Sequence, residues 1–99
     1  MPKTYTPDDI THRLREHPNW RLGDDGQLHA DFAFGNFMQT MLFVNAVAHL
    51  AQTADHHPDL FVHGYNKLTL SLMTHSAGGI TDRDFALIAQ IDALPRPTA

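Results

Sequence analysis

The chain has 99 residues, no cysteine, 42% hydrophobic and 18% charged residues, and a formal net charge of −4. Those figures exclude disulfides, thiol catalysis and thiolate metal sites, and they argue against nucleic acid as a main partner, because phosphate binding calls for a surplus of Lys and Arg and only seven are present. They suit a single small globular domain over residues 1–99, of a size that buries a modest share of its surface and gains from self-association. Residues 1–9 read as neither a signal nor a transit peptide, and no apolar run approaches the ~18 residues of a membrane helix, so the expectation is a soluble, cytoplasmic protein with no membrane contact.

Thr6-Pro7-Asp8-Asp9 opens the first helix: Thr6 caps, Pro7 suits the first helical position, and two acids complement the positive helix end. Ile10 and Leu14 form an i, i+4 apolar pair, and His17-Pro18 ends the helix. Trp20 to Leu22 is a short strand, Asp24-Asp25-Gly26 a turn, and Leu28 to Phe34 a return strand with Leu28, Ala30, Phe32 and Phe34 on one face. Asn36 caps the longest helix, which runs to about Asp55. Its expected apolar stripe is Phe37, Met41, Val44, Ala48 and Ala51, with Met38, Leu42 and Val47 widening it, and Phe37, Met38 and Met41 are expected in the core.

His56-His57-Pro58 stops that helix, and Leu60 to Val62 is a third strand. Lys67 to His75 alternates as a fourth, with Leu68, Leu70 and Leu72 on one face and Thr69, Ser71, Met73 and His75 on the other. Gly78-Gly79 forms a loop. Thr81-Asp82-Arg83-Asp84 resembles a capping box with Asp in place of Glu, and Phe85, Ile88, Ala89 and Asp92 define a last helix. The expected fold is therefore α+β: a four-stranded antiparallel sheet with three helices packed on one face.

Eight histidines are present, and two groups of them could carry chemistry. His56 and His57 sit at a helix-to-loop junction, where imidazoles titrating near pH ~6.5 could serve as acid and base together; a polar helix end favouring the helix dipole is the bland alternative. His75 lies beside Gly78-Gly79, where a backbone can approach a ligand closely, or it is simply a half-exposed strand residue. A three-histidine metal site draws little support, because HExxH is absent and no acid stands at a metal-binding spacing. Trp20 could stack on a flat heterocycle or be buried. His12, His17, His29, His49 and His63 show no partner pattern and read as surface or structural residues.

Taken together, His56-His57-Pro58, Tyr65-Asn66-Lys67, Thr74-His75, Gly79 and Thr81-Asp82-Arg83-Asp84 resemble the pterin-4a-carbinolamine dehydratases, also known as dimerisation cofactors of a homeodomain transcription factor. Six residues separate Pro58 from Tyr65, nine separate Tyr65 from His75, and eight separate His75 from Asp84. The resemblance extends upstream through Trp20, Phe32 to Phe34, Asn36-Phe37 and Phe43-Val44. Two positions depart from it. Gln52 stands where the family often has Glu, and a glutamine can hydrogen-bond but carries no charge; Ser76 stands where some members have an acid.

The resemblance implies the same four-stranded fold, a homodimer or homotetramer, and dehydration of a 4a-hydroxytetrahydropterin to quinonoid dihydropterin without metal or other cofactor. It implies His56, His57 and His75 as catalytic residues, His57 foremost. It further implies a pterin seat formed by Asp55, His56, His57, Met73, Thr74, His75 and Ser76, and Trp20 is added as a stacking candidate. The rival is a dehydratase-like binding or assembly protein without catalysis, which loss of the histidines would mark and which Gln52 keeps open.

Overall fold

The computed structural model describes residues 3–95. Helix α1 (Pro7–Arg13) begins as its sequence dictates, with Thr6 Oγ1 accepting from the Asp9 amide and proline in the first turn. A 3-10 turn (Leu14–Glu16) carries the chain to strand β1 (Trp20–Leu22). Strand β2 (Leu28–Ala33), helix α2 (Phe37–Ala54), strands β3 (Asp59–His63) and β4 (Lys67–Leu72), and helix α3 (Asp82–Asp92) complete the order. The sheet runs β1-β2-β4-β3 and every pairing is antiparallel.

Alternation decides the faces. Leu28, Ala30 and Phe32 of β2 and Leu68, Leu70 and Leu72 of β4 are buried and form one core with Ile10, Phe43, Val47, Phe85, Ile88 and Ile91 from the three helices. The Phe43 ring sits 5.1 Å from Phe32 and 5.2 Å from Phe34, and so fixes α2 against β2. Truncating a side chain of this core costs about 2–5 kcal/mol.

The opposite face carries a polar network. Asp31 accepts from Arg21 (2.8 Å) and from the Thr69 hydroxyl (2.8 Å). Since Thr69 gives its proton to Asp31, His63 Nε2, 3.0 Å from Thr69, is the donor in that contact. His29 bridges Ser71 and Asp25, while on the helical side of the sheet His17 lies 2.7 Å from Asp92. Three of the five histidines without a pattern in sequence therefore have structural partners.

Three expectations are corrected. Helix α2 buries Val47 and Ala51 as expected, but its first half is turned from the expected face: Thr40 and Phe43 are buried, while Phe37, Met38 and Leu42 are 53%, 63% and 56% exposed. The helix is apolar on most of its circumference, so periodicity alone does not choose a face. The tight β2–α2 junction chooses it, with Asn36 Oδ1 accepting from the Gln39 amide and Gln39 Oε1 from the Gly35 amide. In α3, Ala89 is exposed and the inward face is Asp84, Phe85, Leu87, Ile88 and Ile91. Finally, β4 ends at Leu72, three residues before His75. Leu72 pairs with Leu28, the first residue of β2, and Ser71 pairs with Asp59, the first of β3. Beyond them no neighbouring strand is left to hold an extended chain, and it turns back.

Candidate active site

The antiparallel register builds the site. Because Asp59 faces Ser71, the segment that enters β3 and the segment that leaves β4 lie at the same end of the sheet.

Helix α2 stops at Asp55, which adopts the left-handed conformation (φ 51°, ψ 45°) that Asp and Asn tolerate better than most residues. Its amide returns to Gln52 O (3.2 Å) and the His56 amide to Ala51 O (3.1 Å), while Arg83 Nη2 donates to the Asp55 carbonyl at 2.6 Å. This reversal separates the two neighbouring histidines. His56 turns inward and is 7% exposed, whereas His57 turns outward, with Nε2 3.2 Å from Gln52 Oε1.

Beneath them lies Asp84, fully buried at the start of α3. Its Oδ1 is 2.6 Å from His56 Nε2, and its Oδ2 accepts from the Thr74 hydroxyl (2.7 Å) and the Thr81 amide (2.8 Å). Thr74 gives its proton to Asp84, so the Thr81 hydroxyl donates to Thr74 across 2.8 Å and itself accepts from the Arg83 amide. The capping box expected of Thr81 and Asp84 is present. Its carboxylate also reaches out of the helix to His56 and Thr74, the neighbours of His57 and His75. No buried side-chain donor or acceptor among the described residues lacks a partner, so this network is closed.

His75 opens a 3-10 turn (His75–Ala77) and is exposed. The turn is closed by reciprocal bonds between Thr74 and Gly79 (2.9 and 3.4 Å) and by Gly78 at φ 70°. The Thr74 amide is thereby committed to Gly79, whereas Met73 is half-buried and Ser76 exposed. Among the described residues no cluster of three metal-ligating side chains forms.

Trp20 does not join this group. It is 4% exposed, lies on the edge strand β1 rather than the β3 edge, and donates from Nε1 to Asp92 at 3.1 Å. Its indole is a core residue with a satisfied nitrogen, so the expected stacking role is not available to it. Surface concavities elsewhere, such as the 450 Å³ one lined by Asp31, His63 and Lys67 on the open sheet face, hold none of the three site histidines.

A family model described as Pterin 4 alpha carbinolamine dehydratase matches residues 3–94. The chain belongs to the pterin-4a-carbinolamine dehydratase family. A Chloroflexus aggregans protein bearing the pterin-4-alpha-carbinolamine dehydratase name is 42% identical over 86 residues, spanning 87% of this chain and 90% of that protein. One of the same name from Acidobacterium capsulatum is 45% identical over 89 residues, spanning 90% and 95%. The crystal structure of a transcriptional coactivator/pterin dehydratase from Brucella melitensis superposes with a TM-score of 0.85 at 28% identity, covering 92% of this chain and 97% of that one. A pterin dehydratase-like protein identified as a RuBisCO assembly factor in the alpha-carboxysome superposes with a TM-score of 0.62 at 30% identity, covering 76% and 87%. The relatives bear the name of a hydro-lyase, and the dehydratase fold is the one observed.

What sequence reasoning missed in this dehydratase-family site is Asp84 beyond its capping role, together with the Arg83 bond to Asp55. A signal for Asp84 existed. It sits three and four residues before Leu87 and Ile88 and seven before Ile91, on the apolar stripe of α3, where a charge has to find partners.

Proposed function

We propose that this chain dehydrates a 4a-hydroxytetrahydropterin to quinonoid dihydropterin and water, with the exposed imidazoles of His57 and His75 exchanging protons with the substrate and His56 held behind them by Asp84. The supporting observation is that one buried carboxylate bonds to both His56 and Thr74, the residues adjoining His57 and His75. Such an arrangement fixes two separate segments against each other, as a two-proton reaction requires. Hydroxide is a poor leaving group, so an acid protonates the C4a oxygen as the C–O bond breaks. A base takes a proton from a ring nitrogen as the C=N bond forms, and water and the quinonoid product balance the substrate. Each transfer contributes about 100 to 10,000-fold. Asp55, Met73 and Ser76 stand within two residues of His57 or His75 along the chain and are the polar and main-chain groups proposed to seat the pterin; the bound Thr74 amide is left out of that role.

Self-association belongs to the same proposal. Phe37, Met38 and Leu42 leave an apolar strip on α2 uncovered, a natural face for a homodimer or homotetramer.

The deciding experiment follows the ultraviolet decay of freshly generated 4a-hydroxytetrahydropterin with the wild type, His57→Ala and His75→Ala. Acceleration that falls about 100-fold or more in each variant is expected, with stability changed by less than about 0.5 kcal/mol because both side chains are exposed. No acceleration by folded wild type sinks the reading. A second reading, a binding or assembly protein, is favoured by the likeness to the RuBisCO assembly factor and by the uncharged Gln52. Tight pterin binding without turnover would select it.

A further inference from the structure

We propose that Tyr5 is a positioning residue for the catalytic turn, strapping the segment that carries His75 from outside the sheet; this rests on the dehydratase reading and deepens it. The turn leaves β4 at a point where strand pairing has run out, and the Thr74–Gly79 pair that closes it has no strand beside it. The N-terminal segment supplies one. The Tyr5 amide donates to the Ile80 carbonyl at 2.8 Å, so residues 4 and 5 lie alongside Gly79 and Ile80. A Cβ placed on Gly79 would come 3.2 Å from Thr4 Cγ2, so the segment is seated directly against the turn.

The Tyr5 side chain then anchors the strap to two helices. Its hydroxyl donates to Asp82 at the start of α3 and accepts from Arg13 Nη1 of α1 at 2.7 Å. Its ring stacks on Phe85 at 5.2 Å, and the Arg13 guanidinium lies over both rings, 4.7 Å from Phe85 and 5.5 Å from Tyr5. The bond to Asp82 also raises the phenol above its ordinary titration range. Tyr5 thus ties the far side of the His75 turn to the helix whose first turn presents Asp84. Its loss should free the turn while leaving the sheet and the His56–Asp84 contact in place.

The test compares wild type, Tyr5→Phe, Thr4→Gly and the control Asp92→Asn, which removes charge from the other end of α3. Two readouts are taken: kcat and KM for dehydration, and amide exchange at Ala77, Gly78 and Gly79. Tyr5→Phe should speed exchange at those three amides at least about fivefold, leave Leu70 unchanged, and lower kcat by a similar factor with little change in KM. Thr4→Gly should act in the same direction and more weakly, and it stands in if Tyr5→Phe does not fold. Unchanged exchange in the turn overturns the proposal. So does the same kcat loss and turn exchange in Asp92→Asn, since Tyr5 would then act only through general stability. Should the wild type show no turnover, the dehydratase reading fails separately, and turn exchange alone decides whether Tyr5 holds the segment.

Discussion

His56 and Asp84 face each other at 2.6 Å, both shielded from solvent and 28 residues apart in sequence. The same carboxylate binds Thr74 and the Thr81 amide, so its two oxygens serve groups from three segments. In Asp84→Asn an amide NH2 replaces one acceptor oxygen, so either Thr74 and the Thr81 amide lose their acceptor or His56 must switch to the tautomer whose Nε2 accepts, and the carboxylate charge is lost in both cases. The expected loss is about 2–4 kcal/mol, typical of breaking a buried, charge-assisted pair. Urea unfolding measures it, and a midpoint equal to wild type would show that the network contributes nothing. Dehydration should fall as well, because the residues next to His57 and His75 lose their common anchor.

Gln52 tests the effect of the uncharged partner of His57. Gln52→Glu brings a carboxylate to the imidazole that now meets Gln52 Oε1 at 3.2 Å. A neighbouring negative charge favours the imidazolium, so on the proposed mechanism the pH–rate profile should move upward relative to wild type. A rate profile that stays in place would mean that this contact does not govern catalysis.

On the open sheet face, the Thr69 hydroxyl holds the Asp31 carboxyl below its usual range, with the Arg21 charge adding to the effect and partial burial opposing it. A carboxyl depressed in the folded state contributes stability above its unfolded pKa and loses that contribution as pH falls through the folded value. The side chain is 60% exposed, so the contribution is under about 1 kcal/mol. Asp31→Asn should therefore be slightly less stable than wild type near pH 6 and equal to it toward about pH 2. Thermal unfolding across that range checks the sign; a gap that widens on acidification would contradict it.

Leu42 is 56% exposed on α2, one turn from Met38 at 63%. If this strip joins copies of the chain, Leu42→Glu places a charge in an apolar contact and should shift sedimentation to a smaller species without lowering the unfolding temperature of the isolated chain. Identical sedimentation of variant and wild type would place the self-association surface elsewhere.

The sequence by itself determined the order of elements, the alternation that puts Leu28, Ala30 and Phe32 opposite Leu68, Leu70 and Leu72, the caps at Thr6, Asn36 and Thr81, and the family to which the motif residues belong. Those are local properties: a period of two or 3.6, a capping side chain, a spacing along the chain. Only the tertiary structure decided which face α2 buries, because a helix apolar on most sides takes its rotation from the junction at Gly35-Asn36. It likewise ended β4 at Leu72, where the neighbouring strands begin, and buried Trp20 on Asp92. It alone joined His56 to Asp84 and divided the two adjacent histidines into one buried and one exposed. Partners 28 residues apart leave no periodic trace, and they meet because a desolvated carboxylate is stable only where the fold gathers donors around it.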